Sequence, residues 1–209
     1  MEQLRIPQIK ICGLVSTEDA GYLNRYHIDY AGMVLFFSKS RRCITIDTAG
    51  KIISALQPGI QKVAVTVSPT LDQVRQIEAA GFDILQIHGT LYQDVLTGTK
   101  LPILRAFNIT DRAAVEEYNG YPQITGYVFD GKIPGGGKTF DWSLAGPLCE
   151  PGSRRKKIIL AGGLCADNVR DGIRCLQPDI VDVSSGVENA SGTGKDEEKI
   201  KAFAEAVRA

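Results

Sequence analysis

Short β-branched runs alternate with stretches of helical period along almost the whole chain, and this alternation restricts the fold more than any other feature. The strand candidates are QIKIC at 8–12, YAGMVLF at 30–36, KVAVTV at 62–67, DILQIH at 83–88, ILRAFN at 103–108, TGYVFD at 125–130, KIILAG at 157–162 and DIVDVS at 179–184. Helical period follows at 16–26, with Ser16 suited to the N-cap, and at 47–56, 70–81, 91–96, 111–119, 166–176 and 195–209. In 70–81 the apolar Leu71, Val74, Ile77 and Ala80 fall on one face, and Gly81 suits the stop.

Strands that read apolar on both faces, each followed by a helix, imply a parallel sheet with helices outside it. About eight such units with no break in composition predict a closed (β/α)8 barrel, one domain over residues 1–209. The length is near the lower end for that fold, roughly 200 residues and up. A flavodoxin-like or Rossmann sheet is the alternative, but the first strand leads into CGLVS, which lacks the G-x-G-x-x-G fingerprint.

Charge and cysteine content restrict the function. Twenty-four basic and 24 acidic residues leave a formal net charge of zero, which argues against a nucleic-acid-binding or acidic-membrane-binding surface. The SRRKK run at 153–157 reads as a short solvated stretch before a strand. Five cysteines, Cys12, Cys43, Cys149, Cys165 and Cys175, include no CxxC pair, so neither a disulfide framework nor a zinc site is suggested. With no signal-peptide pattern and no apolar run of about 18 residues, the expectation is a cytoplasmic protein with reduced thiols.

In a (β/α)8 barrel the active site lies at the C-terminal ends of the strands. The residues there are Cys12 and Gly13, the FFSKSRR segment at 36–42, His88 and Gly89, Asp130, the AGG turn at 161–163, and DVSSG at 182–186. The turns after the seventh and eighth strands, with Gly162, Gly163, Ser184, Ser185 and Gly186, suit a phosphate held by backbone N–H groups. Each could equally be an ordinary tight turn; the two together point to a phosphorylated small molecule. Cys12 reads either as a core cysteine or as a reactive thiol, and Asp130 as a loop residue or an acid. Facing each other, a thiolate and a carboxylic acid form a base and an acid suited to moving protons on a sugar. A reactive thiolate needs a lowered pKa, which nearby positive charge could supply.

The stretch FDGKIPGGGKTFDW at 129–142 superficially resembles a nucleotide-binding P-loop. The position five residues before Gly137 is Lys132, not the glycine such a loop requires, and TFDWSLAGP leaves no room for the helix that must follow. It is either a flexible surface loop or, with Asp130 in front of it, part of the catalytic mouth.

Six segments in order resemble the phosphoribosylanthranilate isomerase family over nearly the whole chain: KICG at 10–13, FFSKSRR at 36–42, LQIHG at 85–89, FDGK with GGGKTFDW behind it, ILAGGL at 159–164 and VDVSSGVE at 181–188. The resemblance implies an Amadori rearrangement of N-(5'-phosphoribosyl)anthranilate without cofactor or metal. It implies Asp130 as general acid, with His88 next in line, and Cys12 as general base. Arg42 would hold the anthranilate carboxylate, with His88 and Asp182 among the other substrate contacts, and Gly162, Gly163, Ser185 and Gly186 would hold the phosphate. It further implies a small phosphorylated substrate, no nucleic-acid or membrane partner, and a monomer, with a dimer left open. The chain departs from the family pattern at Ser38, at Arg41, at Ala64, Thr66 and Ser68, and in a glycine stretch that is one residue short or shifted. These departures are expected at the substrate lip. Two competing readings remain: another sugar-phosphate barrel, such as an epimerase or indole-glycerol-phosphate synthase, and a non-catalytic barrel that binds a phosphorylated ligand.

Overall fold

The structure of the protein is a computed structural model, and it describes residues 5–108, 115, 117–130 and 156–209. The glycine-rich stretch beyond Asp130, most of the helix expected at 111–119, and Cys149 lie outside the described residues.

Among the described residues, nine strands occur in the order β1 (Gln8–Cys12), β2 (Tyr30–Leu35), β3 (Cys43–Ile44), β4 (Gln61–Val67), β5 (Ile84–His88), β6 (Ile103–Asn108), β7 (Ile124–Asp130), β8 (Lys157–Leu160) and β9 (Ile180–Val183). All pair in parallel; β1 joins both β9 and β2, and this closes eight of them into a (β/α)8 barrel. The ninth, the two-residue β3, is an extra edge on the end of β2 and was not foreseen. The helices described are α1 (Thr17–Arg25), α2 (Ile46–Ala55), α3 (Leu71–Ala79), α4 (Gln93–Gly98), α5 (Val169–Leu176) and α6 (Glu197–Arg208).

Local chemistry sets several of these elements. Ser16 caps α1 in a capping box with Asp19, and Thr70 caps α3 in one with Gln73. Asp19 also accepts from the backbone N–H groups of Val15 at 2.8 Å and Lys195 at 2.9 Å, which ties the last loop to the first helix. On the face opposite the mouth, an aspartate before a strand repeatedly accepts from a neighbouring strand's N–H: Asp29 from Ile9 (2.8 Å), Asp83 from Lys62 (2.8 Å) and Asp179 from Ile158 (2.9 Å). These bonds satisfy donors at the barrel's stability face.

Alternation along each strand separates two apolar sets. Ile9, Ile11, Met33, Leu35 and Ala64 face outward under the helices, while Tyr30, Val63, Val65, Leu104, Val128 and Ile159 fill the interior. The expectation that Ala64 and Thr66 form part of the substrate lip is therefore corrected. Ala64 packs against the helices, and Thr66 is buried and donates to the Gln86 carbonyl at 3.1 Å. Their neighbours Val65 and Val67 face the mouth instead. Ser68 stands at φ 47°, in the left-handed region that asparagine and glycine tolerate best. In the charge run, Lys156 and Lys157 are engaged rather than simply solvated. Lys156 donates to the Tyr121 and Ile124 carbonyls, and Lys157 reaches the Tyr30 hydroxyl at the barrel floor.

Candidate active site

A cavity of about 560 Å³ opens at the C-terminal ends of the strands. Its wall contains Cys12, Arg42, His88, Asp130, Gly162, Gly163, Asp182 and Ser185, so the fold gathers eight of the nine candidate residues around one space. Gly186 lies behind this wall. A Cβ built there would fall 2.0 Å from the Leu164 carbonyl oxygen, so this glycine lets the turns after β8 and β9 pack against each other. Gly186→Ala should cost about 1–3 kcal/mol through forced backbone displacement, read as a lower denaturant midpoint; an unchanged midpoint would contradict this packing.

The turn after β8 is held open by its own backbone. Gly162 and Gly163 have φ of 85° and 67°, values that side chains rarely adopt. Asn168 locks the turn, donating to the Gly163 carbonyl and accepting from Cys165 N–H, both at 2.9 Å. After β9, Ser184 donates to the Cys12 carbonyl at 2.9 Å, and residues Ser185–Val187 form a 3-10 turn.

The deepest part of the site is ionic. Lys10 and Asp182 are register partners on adjacent strands, and Lys10 Nζ lies 2.7 Å from Asp182 Oδ2 with almost no exposure of either side chain. Burial would lower the Lys10 ammonium, but Asp182 and Cys12 together outweigh it and push Lys10 up. Burial pushes the Asp182 carboxyl up against the pull of Lys10. Asp182 Oδ1 and Gln86 Oε1 are buried acceptors with no partner among the described residues, and both side chains line the cavity. Buried acceptors of this kind are costly unless something supplies a donor.

Two steps above Lys10 on the same strand face is Cys12. Burial pushes its thiol up; Lys10 and the buried Lys195 oppose this, and Asp182 adds to it. The thiol is thus pushed up rather than lowered as expected, because removal from water outweighs the nearby cations. Gly32, the register partner of Cys12, leaves the necessary room: a Cβ there would come within 3.1 Å of both Cys12 Sγ and Lys10 Nζ.

Arg42 is not free. It and Arg41 both donate to Glu188, whose side chain is 6% exposed and which lies 3.7 Å from Lys195 Nζ. Burial would raise Glu188, but Arg42 and Lys195 outweigh it and hold the carboxylate ionised. Glu188 and Lys195 were missed as site residues, although Glu188 ends the VDVSSGVE segment. His88 is half-buried at the end of β5; desolvation, then Lys10 and Arg105, lower it to about 4. It is neutral at physiological pH and its Nε2 lies 3.0 Å from Gln86 Nε2, so it is poorly suited to the imidazolium acid role held in reserve for it. Among the described residues no group of three or more His, Cys, Asp or Glu side chains is placed to hold a metal ion.

A parallel eight-stranded barrel with a thiol, a carboxylate and two glycine turns around one mouth is a (β/α)8 barrel with the groups for proton transfer on a phosphorylated small molecule. The family model for N-(5'-phosphoribosyl)anthranilate isomerase matches residues 9–206, and the chain belongs to that family. An N-(5'-phosphoribosyl)anthranilate isomerase from Clostridium acetobutylicum is 40% identical, the match covering 96% of this chain and 98% of that protein. A crystal structure of phosphoribosyl anthranilate isomerase from Thermotoga maritima is similar at a TM-score of 0.84 and 31% identity, covering 97% of this chain and 98% of that one. Another, of the isomerase in complex with reduced 1-(o-carboxyphenylamino)-1-deoxyribulose 5-phosphate, has a TM-score of 0.82 and 29% identity over 97% and 98% of the two chains.

Proposed function

We propose that this chain isomerises N-(5'-phosphoribosyl)anthranilate to 1-(2-carboxyphenylamino)-1-deoxyribulose 5-phosphate, an Amadori rearrangement of tryptophan biosynthesis, by general acid–base catalysis. The observation that carries the proposal is the placement of Cys12 and Asp130 on one cavity with the two glycine-containing turns. Asp130 protonates the ribose ring oxygen as the C1–O bond breaks, and the nitrogen lone pair opens the ring to the iminium ion. Cys12, as thiolate, takes the proton from C2, and the enolamine formed tautomerises to the ketose. Arg42, fixed by Glu188, turns its remaining donors to the anthranilate carboxylate. Asp182 Oδ1 and Gln86 Oε1 accept from the sugar hydroxyls, which supplies the donors these buried atoms lack. The turns at Gly162, Gly163, Ser185 and Gly186 hold the phosphate through backbone N–H groups. All these groups come from one chain, so a monomer suffices, and the reducing cytoplasm would keep the Cys12 thiol free.

Expression in a bacterium lacking this isomerase should restore growth without tryptophan. Failure of a soluble, folded chain to do so, together with tight binding of a phosphorylated ligand, would favour the non-catalytic reading. Gly163→Val should raise KM about tenfold or more, since a charge-assisted hydrogen bond contributes roughly 1.5–3 kcal/mol. kcat should change little, because the phosphate is remote from the reacting carbons. A fall in kcat at constant KM would move the phosphate away from this turn.

A further inference from the structure

The mechanism as drawn uses Cys12 and Asp130 but leaves a buried ammonium unexplained. Lys10 carries no exposed surface, and its side chain shares the inward face of β1 with Cys12. It has one anionic neighbour, Asp182 at 2.7 Å, and a second group that becomes anionic on losing its proton, the sulfur two residues along its own strand. We propose that Lys10 is the positioning residue that makes Cys12 a base, as a counter-ion shared between the Asp182 carboxylate and the Cys12 thiolate. The inference rests on the reading of Cys12 as the base.

The charge balance gives the reason. With Asp182 ionised, Lys10 is already neutralised, and a thiolate at Cys12 adds a second negative charge where burial already disfavours it. Without the carboxylate, the thiolate itself becomes the partner that Lys10 needs. Asp182 therefore restrains the thiolate and Lys10 promotes it, so the two residues must act on Cys12 with opposite signs. Among the described residues, the other charged or titratable groups around this pocket are Lys195, which is turned toward Glu188 and the Ser184 carbonyl, with Arg41 and Arg42 beyond Glu188, Lys39 at the rim, His88 on β5, with Arg105 of β6 beside it, and Asp130 on β7 across the cavity. β2 presents no charged group to Cys12, because its register partner is Gly32.

The test is the alkylation rate of Cys12 by iodoacetamide, followed on its own peptide by mass spectrometry across the neutral-to-alkaline range. This separates it from Cys43, Cys149, Cys165 and Cys175. Asp182→Asn should move the thiol titration down by about one pH unit, or roughly tenfold more thiolate at neutral pH. The double variant Lys10→Met with Asp182→Asn removes the ion pair as a unit, an exchange that buried pairs commonly tolerate. Its Cys12 titration should move up, by about one unit relative to the starting protein. A downward or null shift in the double variant, or an upward or null shift in Asp182→Asn, would overturn the assignment. An ion pair with no electrostatic hold on the thiol would leave the titration where it is in both variants. The readout needs no turnover, so it stands apart from the Cys12 reading: full activity of Cys12→Ser would sink that reading while leaving the titration result to be judged alone.

Discussion

Asp130→Asn should lower kcat by about a hundredfold or more, the low end of what a positioned proton donor contributes, with KM changed much less. The substitution keeps the shape of the side chain and removes its proton. Asp130 ends β7, on the cavity wall opposite β1, and is only partly buried. A carboxyl group in open water is almost wholly ionised at neutral pH. Donating a proton therefore demands desolvation or an anionic neighbour, and the phosphorylated, carboxylate-bearing substrate supplies the second. The kcat profile of the unchanged enzyme should fall at high pH as this acid is lost, and the variant should lose that limb. Steady-state kinetics against pH settle the matter. Full kcat in Asp130→Asn would remove the carboxyl from the mechanism, and the neutral state of His88 would direct the search to a different donor.

Cys12→Ser should cost at least about a hundredfold in kcat while the fold survives. A serine hydroxyl fits the same space but is a far weaker acid than a thiol, so it cannot supply the basic anion at neutral pH. The pH dependence carries a second, sharper expectation. Burial pushes the Cys12 thiol up, so only a minor fraction is thiolate at neutral pH. kcat/KM, which reports groups in the free enzyme, should rise with pH through the neutral and into the alkaline range. That rise should be absent in Cys12→Ser. A flat profile in the unchanged enzyme would mean that the base is already ionised when the site is empty, and a serine variant with near-normal kcat would exclude the thiol altogether.

Much of the molecule was legible in the chain because strand and helix periods are local properties. QIKIC, YAGMVLF and KVAVTV sit within a residue or two of β1, β2 and β4. Ser16 caps its helix as the residue pattern suggests, since its partner Asp19 is only three positions away. The mouth was legible for a related reason. Once the strands are parallel, all their C-terminal ends lie on one face, so Cys12, His88, Asp130 and the two late turns had to converge there.

What stayed hidden depends on register and on burial. A strand's period of two fixes which residues share a face but not which face is inside, and so Ala64 and Thr66 were placed at the lip while Val65 and Val67 occupy it. Pairing of β1 with β9 puts Lys10 against Asp182 across 172 residues of sequence, and Arg42 meets Glu188 across 146. No short window contains those pairs. The sequence by itself determined a parallel alternating architecture and the kinds of chemical group at its mouth. Only the closed barrel decided their partners and their protonation, because desolvation and Coulomb interaction depend on everything within a few ångströms in space, and closure sets those neighbours.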